Sequence, residues 1–358
     1  TKDILLDQFD EPSKRLENVI ASNLLFTYMH MTLKFIEYDS IITMAYHILL
    51  GLKAEYSKLE TPPATVEYAL YSRNLANNHC IRSVVDGVVG RMVTKQPLPF
   101  PKLEVFPDER EETKEFMKIQ DWILYTHGQS FTDKLSEQVH SIYIGDACTV
   151  NLETIFRVDE VIAEHRRSIP NRWSIFKDIE NEEQCKKAMG ESFDFFSIYA
   201  YVHFNVICLG FYASFLQPVS LDNENTELIQ VIQQHSFERS RKTARLSLHG
   251  LKRLLQLENK ASCYYQLAIK DLVLYVFDSI ILHHSSPVEN SASEAHEMFK
   301  DCYEIMLIIQ NIKENDIPSQ MGKGEIKEFI QNRKADISYY SKYPDPWCAL
   351  MSDLSQFL

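Results

Sequence analysis

Apolar residues along this chain recur at the three- and four-residue spacing of a helix, segment after segment. In "SIITMAYHILLGLKAE", Ile41, Ala45, Ile48, Leu49 and Leu52 fall on one side, which predicts a helix with Gly51 near its end. Before it, "SKRLENVIASNLLFTYMHMTLKFIE" sets Leu16, Ile20, Leu24, Tyr28 and Leu33 near helical spacing, with Ser13 placed to cap the start. After the breaker at Pro62 and Pro63, Ile81, Val84, Val85, Val88, Val89 and Met92 make a dense apolar stripe. "QPLPFPKLEVFPDE" is punctuated by Pro97, Pro99, Pro101 and Pro107 and reads as a connector.

Helical periodicity resumes through "EETKEFMKIQDWILYTHGQSFTDKLSEQVHSIYIGDA" and "NLETIFRVDEVIAEHRRSIPNRW", the second stopping at Pro170. It continues in "TELIQVIQQHSFERSRKTARLSLHGLKRLLQLE", "YQLAIKDLVLYVFDSIILHHSS" and "ASEAHEMFKDCYEIMLIIQNIKE". Nowhere do β-like segments alternate with turns. The pattern predicts an all-α fold: a single large domain of about ten helices over residues 1–343, then an acidic-hydrophobic tail over 344–358.

One segment departs from amphipathic patterning. "SIYAYVHFNVICLGFYASFLQP", Ser197 to Pro218, contains no Asp, Glu, Lys or Arg and is long enough to cross a bilayer. Yet His203, Asn205, Gly210 and three tyrosines, Tyr199, Tyr201 and Tyr212, are spread through it, and no Lys or Arg cluster marks a cytoplasmic side. The expected form is a helix hydrophobic all round, buried at the centre of a large helical core, with no membrane partner.

Composition narrows the function classes. A net charge of -13 opposes direct attraction to phosphate backbones, so the chain is not expected to bind DNA by itself. Seven cysteines lie far apart without a CxxC pair, as reduced thiols of an intracellular compartment would, rather than a disulfide frame or a zinc site. The chain opens at Thr1 without a basic-then-apolar leader; no secretory signal is expected, and a piece of a longer polypeptide is.

Motifs for chemistry are scarce. No GxSxG, P-loop, HExxH or EF-hand loop occurs, and no enzyme activity, catalytic residue or metal ligand is expected. Adjacent His283 and His284 read as structural helix-terminal histidines beside a negative dipole end. "DEREE", Asp108 to Glu112, reads as a solvated helix start rather than a magnesium-diphosphate site. Arg239, Arg241, Lys242 and Arg245 read as a surface face.

The order of several loose motifs carries a family resemblance. "SNLLFTYMHMTLKFIEYDSIITMAYHILLGLKAE", with its Gly51-Leu52 step, resembles the paired helices near the start of the fungal-specific transcription factor domain, the regulatory region of zinc binuclear-cluster transcription factors. "HCIRSVVDGVVGRMVTKQPLPFP" is similar in outline to the next helix: Asp86 matches the family's Asp. Gly87 stands where Arg is usual, Thr94, Lys95 and Gln96 replace a Gly-Arg-Pro turn, and His79 and Cys80 replace paired tryptophans. "VDEVIAEHRRSIPNRW" and "FDFFSIYAYVHFNVICLGFYASFLQP", the latter ending in Gln217 and Pro218, resemble later landmarks.

This resemblance implies an effector-responsive regulatory domain of a nuclear transcription activator. DNA would be reached only through a separate N-terminal zinc cluster; no cofactor is expected in this chain, and zinc only in that cluster. Partners would be a small-molecule effector and a transcriptional coactivator, with homodimerisation open. The effector could be an anionic metabolite, a sterol or a drug. Tyr199, His203 and Asn205 on the aromatic segment, with Arg82 and Arg91 for an anionic group, are the candidate ligand-binding residues.

In the tail, "YPDPWCALMSDLSQFL" sets Trp347, Leu350, Met351, Leu354 and Phe357 along one helical face, which suits either an activation segment or a closing helix docked on the core. A ligand-independent helical dimerisation scaffold of the same family, and an all-α isoprenoid-type enzyme, are the alternative functions.

Overall fold

The computed structural model describes residues 8–9, 11–32, 35–59, 65–88, 103, 105, 107–130, 152–174, 176, 179–216, 226–257, 263–284 and 286–309. Among them the backbone forms ten α-helices, two 3-10 turns and no strand, as the all-α reading requires. The helices are α1 (Arg15–Thr32), α2 (Phe35–Tyr56), α3 (Val66–Val88), α4 (Glu111–Ser130), α5 (Leu152–Ser168), α6 (Glu182–Glu191), α7 (Phe195–Ser214), α8 (Thr226–Leu257), α9 (Cys263–His284) and α10 (Ser291–Ile309). The 3-10 turns are Pro12–Lys14 and Asn171–Trp173. The helices belong to two compact units, drawn from Thr1–Gly128 and Gln129–Gln331, a finer division than the single body expected over 1–343. The tail from 344, with Trp347, Leu350, Met351, Leu354 and Phe357, lies outside the described residues, as does Arg91.

In the first unit, α2 buries the stripe its spacing predicts: Ile41, Ala45, Leu49 and Leu52 are all inside. Gly51 lies near the end of the helix, as expected, with open space around its position, and the helix closes at Tyr56. Phe35 to Glu37 belong to α2 rather than to the first helix. Ser13 is not its cap either: it sits in the 3-10 turn and donates to Glu11.

The buried face of α1 is also not the expected one. Leu24 is 63% exposed, while Asn18, Val19, Ser22 and Asn23 are buried. The reason is hydrogen bonding. Asn23 Nδ2 donates to Asn74 Oδ1 at 2.9 Å, and Asn78 Nδ2 donates to Asn23 Oδ1 at 3.1 Å, so an amide ladder rather than leucines joins α1 to α3. Tyr56, Tyr68 and Tyr71 pack ring against ring between α2 and α3. The stripe from Ile81 to Met92 lies outside the residues whose side chains are described.

The acidic run around Asp108 divides its roles. Glu111 and Glu112 occupy the first turn of α4, as a helix start favours. Glu109 is not a solvated cap: its carboxylate forms a bidentate pair with Arg73 of α3, at 2.7 and 2.9 Å, with both side chains about four-fifths buried.

The second unit is built around α7. This helix passes the length and composition test for a bilayer span, yet two-thirds of that apolar window is buried inside the protein. Ile198, Tyr199, Val202, Leu209 and Ala213 are among its fully enclosed residues. Asp194 starts it, accepting from the Ser197 amide at 3.2 Å and from the Ser197 hydroxyl at 2.8 Å. The longest helix, α8, runs antiparallel along α7: Gly250 lies beside Val202 near the start of α7, and Phe237 joins Ala213 and Leu216 at its end. Helices α9 and α10 close the other side, with α9 also packed on α7.

The basic residues of α8 are mostly engaged within the unit. Arg241 and Arg245 both bind Glu294 of α10, and Lys242 donates to the Glu180 carbonyl.

Candidate functional site

Of the five residues that the sequence offered for ligand binding, the three on α7 do not share one face. Tyr199 is buried, stacked on Phe195 and edge-on to His203 one turn later. Asn205 follows His203 by two residues and so projects about 200° away around the helix. Arg82 lies on α3, with its side chain outside the described residues, as all of Arg91 is.

What α7 does assemble is a polar line on the Asn205 side. Tyr201, Asn205, Cys208 and Tyr212 recur at helical spacing and are all buried. Helix α5 supplies the facing groups. Asp159 accepts a short hydrogen bond from the Tyr212 hydroxyl, at 2.5 Å, near the end of α7. Two turns further along α5, Arg166 acts electrostatically on Tyr201 and Cys208, nearer the start of α7, so the two helices run antiparallel.

From α8, His235 Nε2 reaches the other Asp159 oxygen at 3.1 Å. From α6, Cys185 donates its thiol proton to the Tyr201 hydroxyl at 3.4 Å.

Protonation states along this line follow from burial. Burial pushes the Tyr212 hydroxyl well above its ordinary 10, and acceptance by Asp159 pushes it further, so Tyr212 keeps its proton and acts as donor. Burial also raises Tyr201, with Cys185 adding to it. The Cys208 thiol is pushed up to about 12 by burial, against the opposing pull of Arg166. Cys185 is likewise raised by burial. Both thiols are therefore neutral and poorly nucleophilic near pH 7. No group of three or more histidine, cysteine, aspartate or glutamate side chains suited to a metal occurs among the described residues.

One donor on this line is left over. Arg166 Nε is buried without a hydrogen-bond partner among the described residues, while the Asn205 amide, outside ideal hydrogen-bond geometry, still acts as a donor on the Tyr201 hydroxyl and holds down part of its pKa rise. Asn205 is 3% exposed, so its amide has no recourse to bulk solvent. The Asn205 amide and the Arg166 cation come from facing helices. Together they suit an acceptor carrying negative charge.

Asn205 was within reach of sequence reading, whereas Arg166, Tyr201, Cys185 and the cluster of Asp159, Tyr212 and His235 were not selected. The available signal was the repeat of polar positions on one face of an otherwise apolar helix.

No family model, no curated protein and no solved structure matches the chain. The likeness to the fungal regulatory domain rests on the ordered motifs themselves.

Proposed function

We propose that this chain is an effector-responsive helical regulatory domain of a fungal zinc-cluster transcription factor, and that its second unit receives a small anionic metabolite between α5 and α7. The observation that supports the ligand reading is the buried Arg166 Nε, without a hydrogen-bond partner among the described residues, on the helix that faces the Asn205 amide and the Tyr201 hydroxyl. A carboxylate would take a charge-assisted bond from Arg166, removing a desolvation penalty of about 1–3 kcal/mol, and a second bond from the Asn205 amide in place of its weak contact with Tyr201. Binding that favours one packing of α5 on α7 over another would shift the population of that packing, which is what an effector must do.

In this reading the tail from 344 is the output. Its face of Trp347, Leu350, Met351, Leu354 and Phe357 meets a coactivator groove when released, and the protein acts in the nucleus through a DNA-binding cluster elsewhere in the polypeptide.

Thermal unfolding of the intact chain in acetate, pyruvate, citrate and inorganic phosphate tests the ligand. At least one carboxylate should raise the midpoint, and Arg166→Met should abolish the rise. A flat response to all four favours the ligand-independent scaffold. Reporter activation with and without residues 347–358 tests the output: equal activation and equal basal repression would rule out a role for the tail.

A further inference from the structure

The end of α9 holds a second buried polar group that the line along α5 and α7 does not use. His283 is 0% exposed, and neither Nδ1 nor Nε2 has a partner among the described residues. It lies in the last turn of α9, as its helix-terminal reading has it, but enclosed within the protein. A neutral imidazole always carries one donor and one acceptor, and leaving both unmet in a dry interior is unfavourable on both counts.

The surroundings specify what would meet them. The Phe237 ring of α8 lies 5.3 Å away, tilted against the imidazole. Phe237 belongs to an apolar cluster with Ala213, Leu216 and Leu282, against which Val288 packs. Arg241 lies over the same ring, 5.8 Å from its centre, and is occupied by Glu294 at 3.0 Å. Arg241 is thus already paired, sharing the Glu294 carboxylate with Arg245. Burial, reinforced by Arg241, depresses the His283 pKa to about 3, so the ring is uncharged in any ordinary buffer.

We propose that His283 anchors a second ligand site, at the junction of α8 and α9, for a small uncharged molecule with an apolar body and a single hydroxyl group. The hydroxyl would accept from one ring nitrogen or donate to the other, and the body would lie against Phe237, Leu282 and Leu216. An anion is disfavoured because the imidazole is neutral and Arg241 is already paired. The inference is independent of the site between α5 and α7, since it uses different residues and a ligand of different charge.

The test uses the intact chain with 15N-labelled histidine, titrated with phenol and, separately, with toluene as the probe lacking the hydroxyl. The His283 ring resonances are assigned by their loss in His283→Phe. Phenol is expected to shift those resonances and to bind about tenfold or more tightly than toluene, as one buried hydrogen bond implies. His283→Gln, which keeps a donor and an acceptor, should retain the preference for phenol.

Equal binding of the two probes, or His283 resonances unmoved by phenol, would overturn the proposal. The second outcome would leave an internal water as the histidine's partner. The relative affinity of wild type for phenol and toluene decides the matter even if a variant fails to fold.

Discussion

Gly250 of α8 lies directly against Val202 of α7: a Cβ at position 250 would collide with the Val202 Cγ2 methyl and stand 3.4 Å from Met189 Sδ. Val202 and Met189 are both fully buried, so neither can swing into solvent to make room. The contact of α8 with α7 at this point depends on the missing side chain.

Gly250→Ala is therefore expected to destabilise the second unit by about 1–2 kcal/mol: overpacking costs about 1–3 kcal/mol, and the better helix propensity of alanine offsets part of it. Val202→Ala in the same chain should recover some of the loss. Gly51→Ala is the contrasting case, because nothing lies near a Cβ at 51 and the position is interior to α2. It should stabilise by about 0.5–1 kcal/mol. Urea unfolding of the four chains checks both signs.

Asp194→Ala should cost about 1 kcal/mol near neutral pH by removing the cap on α7. Burial works to raise the Asp194 pKa, but the Ser197 hydroxyl and amide, with Arg172, outweigh it and hold the carboxyl below its ordinary 3.8. A carboxyl depressed in the folded state stabilises fully above the unfolded value and progressively less as pH falls through the folded one. The gap between wild type and Asp194→Ala should accordingly be constant from pH 7 to 5 and narrow below pH of about 3.8. A gap that widens on acidification would show that the cap is not ionised.

Tyr212→Phe keeps the ring but removes the donor to Asp159, and a hydrogen bond to a charged acceptor is worth about 1.5–3 kcal/mol. The cluster ties α5 to α7 through Tyr212 and α5 to α8 through His235. Removal of Tyr212 and His235 together should therefore be non-additive, since both act on one carboxylate. A double-mutant cycle of Tyr212→Phe and His235→Leu, read by chemical denaturation, measures the coupling; strictly additive losses would show two independent contacts.

The helical class and the enclosure of α7 were legible because apolar spacing at 3.6 residues per turn is a local signal, and Ile41, Ala45, Leu49 and Leu52 show it directly. The buried face of α1 was not legible. Asn23 looks like a solvent-facing residue until α3 brings up Asn74 and Asn78, more than fifty residues away in the chain, and Asn18 until its amide meets the Gln8 and Phe9 carbonyls before the helix.

The enclosure of His283 was not legible for a related reason. A helix end suggests solvent, but whether Phe237 and its neighbours cover that end is a tertiary fact. The cluster around Asp159 joins residues 53 and 76 positions apart, which no short motif encodes. Gly51 was legible too: the expected helix has it near its end, and α2 packs Leu52 inside and closes at Tyr56.

The account turns on the Asn205 amide and the Arg166 guanidinium serving as a receptor for an anionic group. Isothermal titration of the intact chain with the carboxylate that most raises its unfolding midpoint, repeated on Asn205→Leu, tests this most directly. The prediction is one binding event per chain in the wild type, weakened at least about tenfold in the variant, as loss of one charge-assisted bond requires. Equal affinity in the two chains, or no carboxylate heat in either, would contradict it.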